Sequence, residues 1–160
     1  MMIFISLAAW ANEPIDVSFR PAESQVQVQA KLDDTVERAV EQLPWGLRGI
    51  ARPRLERGVT ACPHYRFLIK VPAFQVNCRG RTNFAWTIGK QGSFTGKDGE
   101  AHHVQLTEHN RVYDLRMDGI MGTKHWRYDL SVDGKLTVTQ EIASHLLPAP
   151  IRWTLHYLKD

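Results

Sequence analysis

From about residue 62 onward the chain is a succession of short runs that alternate polar and apolar, with a turn signal every 8 to 12 residues. A period of two places successive side chains on opposite faces of a strand, so each run can bury one face only. Phe84, Trp86 and Ile88 alternate before Gly89, and Val104 alternates with Leu106. Tyr113, Leu115 and Met117 follow, then Leu136, Val138 and Gln140. Ile151, Trp153, Leu155 and Tyr157 share one face near the end, with Arg152, Thr154 and His156 on the other. Lys97-Asp98-Gly99, Met117-Asp118-Gly119 and Val132-Asp133-Gly134-Lys135 are hairpin-type turns. Eight or nine such strands predict a mainly β fold, an antiparallel meander closing as a barrel or a sandwich.

Residues 12–23, with two prolines, read as a lead-in to one domain over 24–160. Gln25 to Leu32 alternates at period two and predicts a strand. Asp33 or Asp34 then caps a helix whose Val36, Ala39, Val40 and Leu43 form one stripe. Pro44 ends it, and Leu47, Ile50 and Leu55 suggest a second short helix despite Gly49 and Pro53. With 160 residues, 43% of them hydrophobic, one core is expected. A net charge of +3 is too diffuse for a nucleic-acid binder, and no run approaches the roughly 20 apolar residues of a membrane-spanning helix.

Residues 1–11, MMIFISLAAWA, end in a small-x-small pattern and suggest the remnant of a cleaved export signal, with a buried first strand as the alternative. The even pair Cys62 and Cys78 agrees with an oxidising compartment, periplasmic or secreted. Strand-like runs lie between them, so a disulfide across a hairpin is expected, against two reduced buried thiols.

The order of one strand, short helices and a long meander resembles the fatty-acid-binding-protein branch of the calycin superfamily. Phe84-x-x-x-Ile88-Gly89-x-x-x-Ser93-Phe94 is similar to a stretch of that family, as are the hairpin Asp133-Gly134-Lys135-Leu136-Thr137-Val138-Thr139 and the terminal Tyr157-Leu158-Lys159. The resemblance implies a calycin-like β-barrel with one or two short helices near the start, holding a lipid or other apolar small molecule. It also implies two inward arginines for a carboxylate, and here those positions are Leu155 and Asp129. Arg127, two residues earlier, substitutes if it turns inward; the apolar pattern instead favours Trp126, Tyr128 and Leu130 inside. An apolar Leu155 favours a neutral or weakly polar lipid.

The expected ligand-binding residues are Trp86, Tyr113, Arg127, Trp153, Leu155 and Tyr157. Large inward side chains fill a small barrel or line a cavity, and the sequence does not distinguish the two. A filled barrel serving as a structural or protein-interaction module of the cell envelope is the alternative function. Arg48, Arg52, Arg54 and Arg57 form either a basic lid for anionic lipid headgroups or a solvated helix face. Catalysis has no visible basis. The serines lack a nucleophile elbow, the seven histidines lack metal-ligand spacing, and adjacent His102 and His103 point apart on a strand. No metal or other cofactor is expected.

Overall fold

The computed structural model describes residues 13–81, 83–97 and 99–160, so the apolar start at 1–11 and the centre of the 97–99 turn lie outside the described residues. In chain order the elements are β1 (Ile15–Pro21), α1 (Gln25–Glu41), α2 (Trp45–Gly58), β2 (Tyr65–Lys70), β3 (Ala73–Cys78), β4 (Asn83–Thr87), β5 (Gln91–Thr95), β6 (Ala101–His109), β7 (Val112–Gly119), β8 (Gly122–Asp129), β9 (Lys135–Ala143) and β10 (Ile151–Lys159). All neighbouring strands are antiparallel, and the sheet order is β4-β3-β2-β1-β10-β9-β8-β7-β6-β5. The meander is thus closed by β1, which pairs β2 on one side and β10 on the other. Ten strands form among the described residues, against the eight or nine expected, and they curl into an incomplete barrel.

The extra strand comes from the segment taken as a lead-in. Ile15, Val17 and Phe19 alternate with Asp16, Ser18 and Arg20, and this half-buried pattern is β1. The run from Gln25 to Leu32 is helix, not strand. The Ser24 hydroxyl accepts the Gln27 backbone N–H at 3.3 Å, and the Gln27 side-chain oxygen accepts the Ser24 N–H at 3.0 Å. This reciprocal cap satisfies two backbone donors and fixes the helix start at Gln25, where the strand was expected to begin. Val26 consequently points into solvent, 79% exposed, while Leu32 continues the stripe of Val36, Ala39 and Val40 onto the barrel. Asp33 and Asp34 lie in mid-helix, where Asp34 pairs with Arg38.

α2 forms despite Gly49 and Pro53, but of Leu47, Ile50 and Leu55 only Leu55 is buried. Its orientation is set by polar contacts with α1. Arg48 donates to the carbonyls of Leu43 and Glu41, each at 3.0 Å, and Arg52 pairs with Glu37. Two of the four lid arginines therefore fasten the helices to each other.

Part of the barrel interior is packed solid. Phe67, Val104, Leu106, Leu136 and Val138 have no measurable exposure. Tyr65, Phe67, Phe74, Tyr128 and Tyr157 interlock with ring centroids 5.1–6.2 Å apart, mostly edge to face. The remaining joint, between β4 and β5, has no ladder of backbone hydrogen bonds. Side chains bridge it. The Phe84 and Phe94 rings stand 6.5 Å apart, and the Trp86 indole N–H donates to the Lys90 carbonyl at 3.0 Å. Gly92 leaves room for that indole, since a Cβ there would lie 3.2 Å from the Trp86 ring.

Candidate ligand-binding site

Antiparallel order puts the starts of β2, β4, β6, β8 and β10 at the same end as the helices. An inward row near that end runs Val104, Met117, Lys124, Ile142 and Ile151 across five strands. One row deeper lie Leu115, Trp126, Gln140 and Trp153. Between these rows and the aromatic joint of Phe84, Trp86 and Phe94 is a cavity of about 640 Å³. It is roofed by the end of α2 and the segment that follows it. The volume is in the range of small-molecule sites, and its wall is mainly aromatic and aliphatic. A second hollow of about 440 Å³ adjoins it through Phe94, Met117, Trp126 and Ile142, toward the β7–β8 turn.

The roof is held by the barrel's own interior donors. The buried Gln140 amide and the Trp153 indole N–H both donate to the Thr60 carbonyl, at 3.2 and 3.1 Å. The Tyr157 hydroxyl donates to the Cys62 carbonyl at 3.0 Å. Cys62 and Cys78 form a disulfide with Cα atoms 5.7 Å apart, as expected. Cys78 pairs in register with Tyr65, so Cys62 reaches it diagonally from ahead of β2. Three hydrogen bonds and one covalent link thus pin residues 60–62 over the cavity.

The expected site residues divide into three groups. Trp86 and Trp153 line the cavity. Tyr113, Leu155 and Tyr157 point inward but are buried in the packed part of the barrel, each 2% exposed, and do not line the cavity. Arg127 faces outward, with its guanidinium 3.5 Å from the Asp114 carboxylate, so it contributes nothing to the interior. Tyr128 and Leu130 are buried and Trp126 lines the cavity, which is the outward register for Arg127. Phe84, Phe94, Arg81 and Lys124 line the cavity and were not expected to. Lys124 had a readable signal, since it shares strand parity with Trp126 and Tyr128.

Charge inside is absent at depth. Burial raises the phenol pKa of Tyr65 and Tyr128, and it pushes Tyr157 up to about 12, so these hydroxyls stay neutral. Of the charged lining residues, Glu141 turns out to Arg152 at 2.9 Å, and His125 lies 3.0 Å from Asp114 on the outer face. Arg57, Arg81 and Lys124 remain. Among the described residues no group of three or more His, Cys, Asp or Glu side chains is placed to hold a metal ion.

No known protein-family profile and no curated protein matches the sequence. Solved structures do match. One is the REP1-NXSQ fatty acid transporter, with a TM-score of 0.52 and 14% identity over 91% of this chain and 93% of that one. Another is a fatty-acid-binding protein from brain tissue of Drosophila melanogaster, with a TM-score of 0.51 and 10% identity over 91% of this chain and 97% of that one. The closed order of strands, the two helices between β1 and β2 and these likenesses agree: the fold is that of the fatty-acid-binding-protein-like β-barrels.

Proposed function

We propose that the protein is an exported, non-enzymatic binder of a lipid or another apolar small molecule. The observation that carries this reading is the cavity of about 640 Å³, walled by Trp86, Trp126, Trp153 and their aliphatic neighbours. An apolar tail entering it leaves water at roughly 0.8 kcal/mol per buried CH₂. The structural neighbours named for fatty acids lend support at the level of shared architecture. The disulfide supports a periplasmic or secreted location, because such bonds persist in oxidising compartments.

A basic lid meeting an anionic membrane surface is part of the same reading. Trp45 and Ile50 on α2 are 86% and 64% exposed, next to Arg54 and Arg57, which have no ion pair among the described residues. An apolar edge flanked by cations suits a headgroup layer. Co-sedimentation with neutral and anionic vesicles at low and high salt tests it; binding indifferent to lipid charge removes the lid.

The binding function itself is tested by stripping the protein of lipid and titrating it with a fluorescent fatty acid and a neutral analogue. Saturable binding of one molecule per chain is expected, with competition by unlabelled lipid. If neither probe binds, the barrel is a structural or protein-interaction module of the envelope instead.

A further inference from the structure

Four arginines on the outer wall of the barrel are paired, whereas three cations that line the cavity are not. Outside, Arg66 meets Asp16, Arg116 meets Asp118, Arg127 meets Asp114 and Arg152 meets Glu141. Arg57, Arg81 and Lys124 line the cavity, and none has an ion pair or side-chain hydrogen bond among the described residues.

Their positions coincide. Arg81 lies between the end of β3 and the start of β4, and Lys124 is near the start of β8, both at the helix-capped end. Arg57 ends α2 next to Gly58, where a Cβ would stand 3.1 Å from Ile142 Cδ1. Ile142 is the cross-strand partner of Lys124, which brings the end of α2 over that lysine. In its inward row Lys124 is the only charge among Val104, Met117, Ile142 and Ile151.

The uncharged donors of the inner wall offer an anion nothing comparable. Gln140, Trp153 and Tyr157 already donate to the carbonyls of Thr60 and Cys62, and the position where the resemblance implies an arginine is Leu155, 2% exposed. A carboxylate there would lose its hydration without gaining a charged partner.

We infer that the ligand is a single-chain amphiphile with a carboxylate or phosphate head, lying with its tail inward against Trp126 and Trp153 and its head at the mouth among Arg57, Arg81 and Lys124. This rests on the lipid-binding reading and adds the polarity and orientation of the ligand. The preference for a neutral lipid expected from Leu155 then applies to the deep end alone.

The test titrates the delipidated full chain with hexadecanoate, hexadecanol and 1-palmitoyl-lysophosphatidate at low and high salt. Both anions are expected to bind about tenfold more tightly than the alcohol at low salt, an advantage that high salt reduces. In the triple variant Arg57→Gln, Arg81→Gln, Lys124→Gln the advantage of the anions over the alcohol vanishes. Equal binding of acid and alcohol by the unaltered protein, or an advantage that survives the triple variant, overturns the inference and leaves lipid binding intact. Rejection of lysophosphatidate with hexadecanoate still preferred also overturns it, because a head at the mouth has room for a glycerophosphate. Failure of all three to bind removes the lipid-binding reading and the inference together. Orientation has a readout that needs no variant. A nitroxide near the methyl end of stearate should broaden the Leu155 methyl signals more than one near the carboxylate, and the reverse order refutes the head-out placement.

Discussion

Replacing both cysteines, Cys62→Ser with Cys78→Ser, removes the covalent link under the roof and leaves its three hydrogen bonds in place. The linked residues are 16 apart in sequence, and closing a loop of that length in the unfolded chain is worth about 3 kcal/mol. The roof stays anchored by Gln140, Trp153 and Tyr157, so the native state survives and the loss arises in the unfolded ensemble. For a urea dependence of about 2–3 kcal/mol per molar, the midpoint should fall by about 1–1.5 M. The melting temperature should fall by about 6–12 °C for a chain of this size. The unfolded chain also becomes more expanded, so the urea dependence should steepen rather than flatten. Wild-type protein unfolded in urea with reductant should give the same midpoint as the double variant. A loss below about 1 kcal/mol would refute the reasoning, because it would mean that the unfolded chain is already held compact without the bridge.

Gly122 has φ of +142° and a Cβ there would fall 2.1 Å from the Ala143 carbonyl oxygen, so Gly122→Ala should destabilise by about 3 kcal/mol or more in thermal melts. A shift under about 1 kcal/mol would show that β8 and β9 part easily at that point. Asn110 and Arg111 form the β6–β7 turn with φ of +50° and +63°; Arg111→Gly relieves the second of these and should raise stability by about 0.5–1 kcal/mol in urea unfolding. Tyr65, Tyr128 and Tyr157 hold their protons more tightly when folded, Tyr157 up to about 12, against about 10 for a free phenol. Their contribution is therefore complete below pH of about 10 and is lost as the pH rises toward 12, with a slope near 1.4 kcal/mol per pH unit for each tyrosine. The urea midpoint measured across that window should fall steeply, and less so in Tyr157→Phe; a flat profile contradicts the buried phenols.

The strands of the second half were legible because each has one dry face. Leu136, Val138 and Gln140, or Trp153, Leu155 and Tyr157, alternate without interruption and are buried as the period requires. The region before Pro44 was misread for a definite reason. Eight residues of polar–apolar alternation from Gln25 to Leu32 outweighed the Ser24-x-x-Gln27 cap, although the cap decides which backbone groups are satisfied. β1 carries an equally clean alternation in Ile15, Val17 and Phe19, obscured by flanking prolines. For the site, parity alone identifies inward residues such as Trp153 and Lys124. It does not separate those that meet a void from those that meet another ring, as Tyr157 does with Tyr65 at 5.1 Å. That distinction depends on how far the wall lies from its opposite side, which no local pattern encodes.

The unbonded joint between β4 and β5 makes this barrel a split ring rather than a hoop. A hoop widens only by tearing several ladder bonds together, each worth about 1 kcal/mol net. A split ring widens by sliding Phe84 past Phe94 and easing Trp86 off Gly92, which disturbs a few ring contacts of about 0.5–1.5 kcal/mol and the Trp86–Lys90 hydrogen bond but leaves every ladder intact. The girth of the molecule is thereby an elastic quantity, set by two aromatic edges around one unbroken set of paired strands.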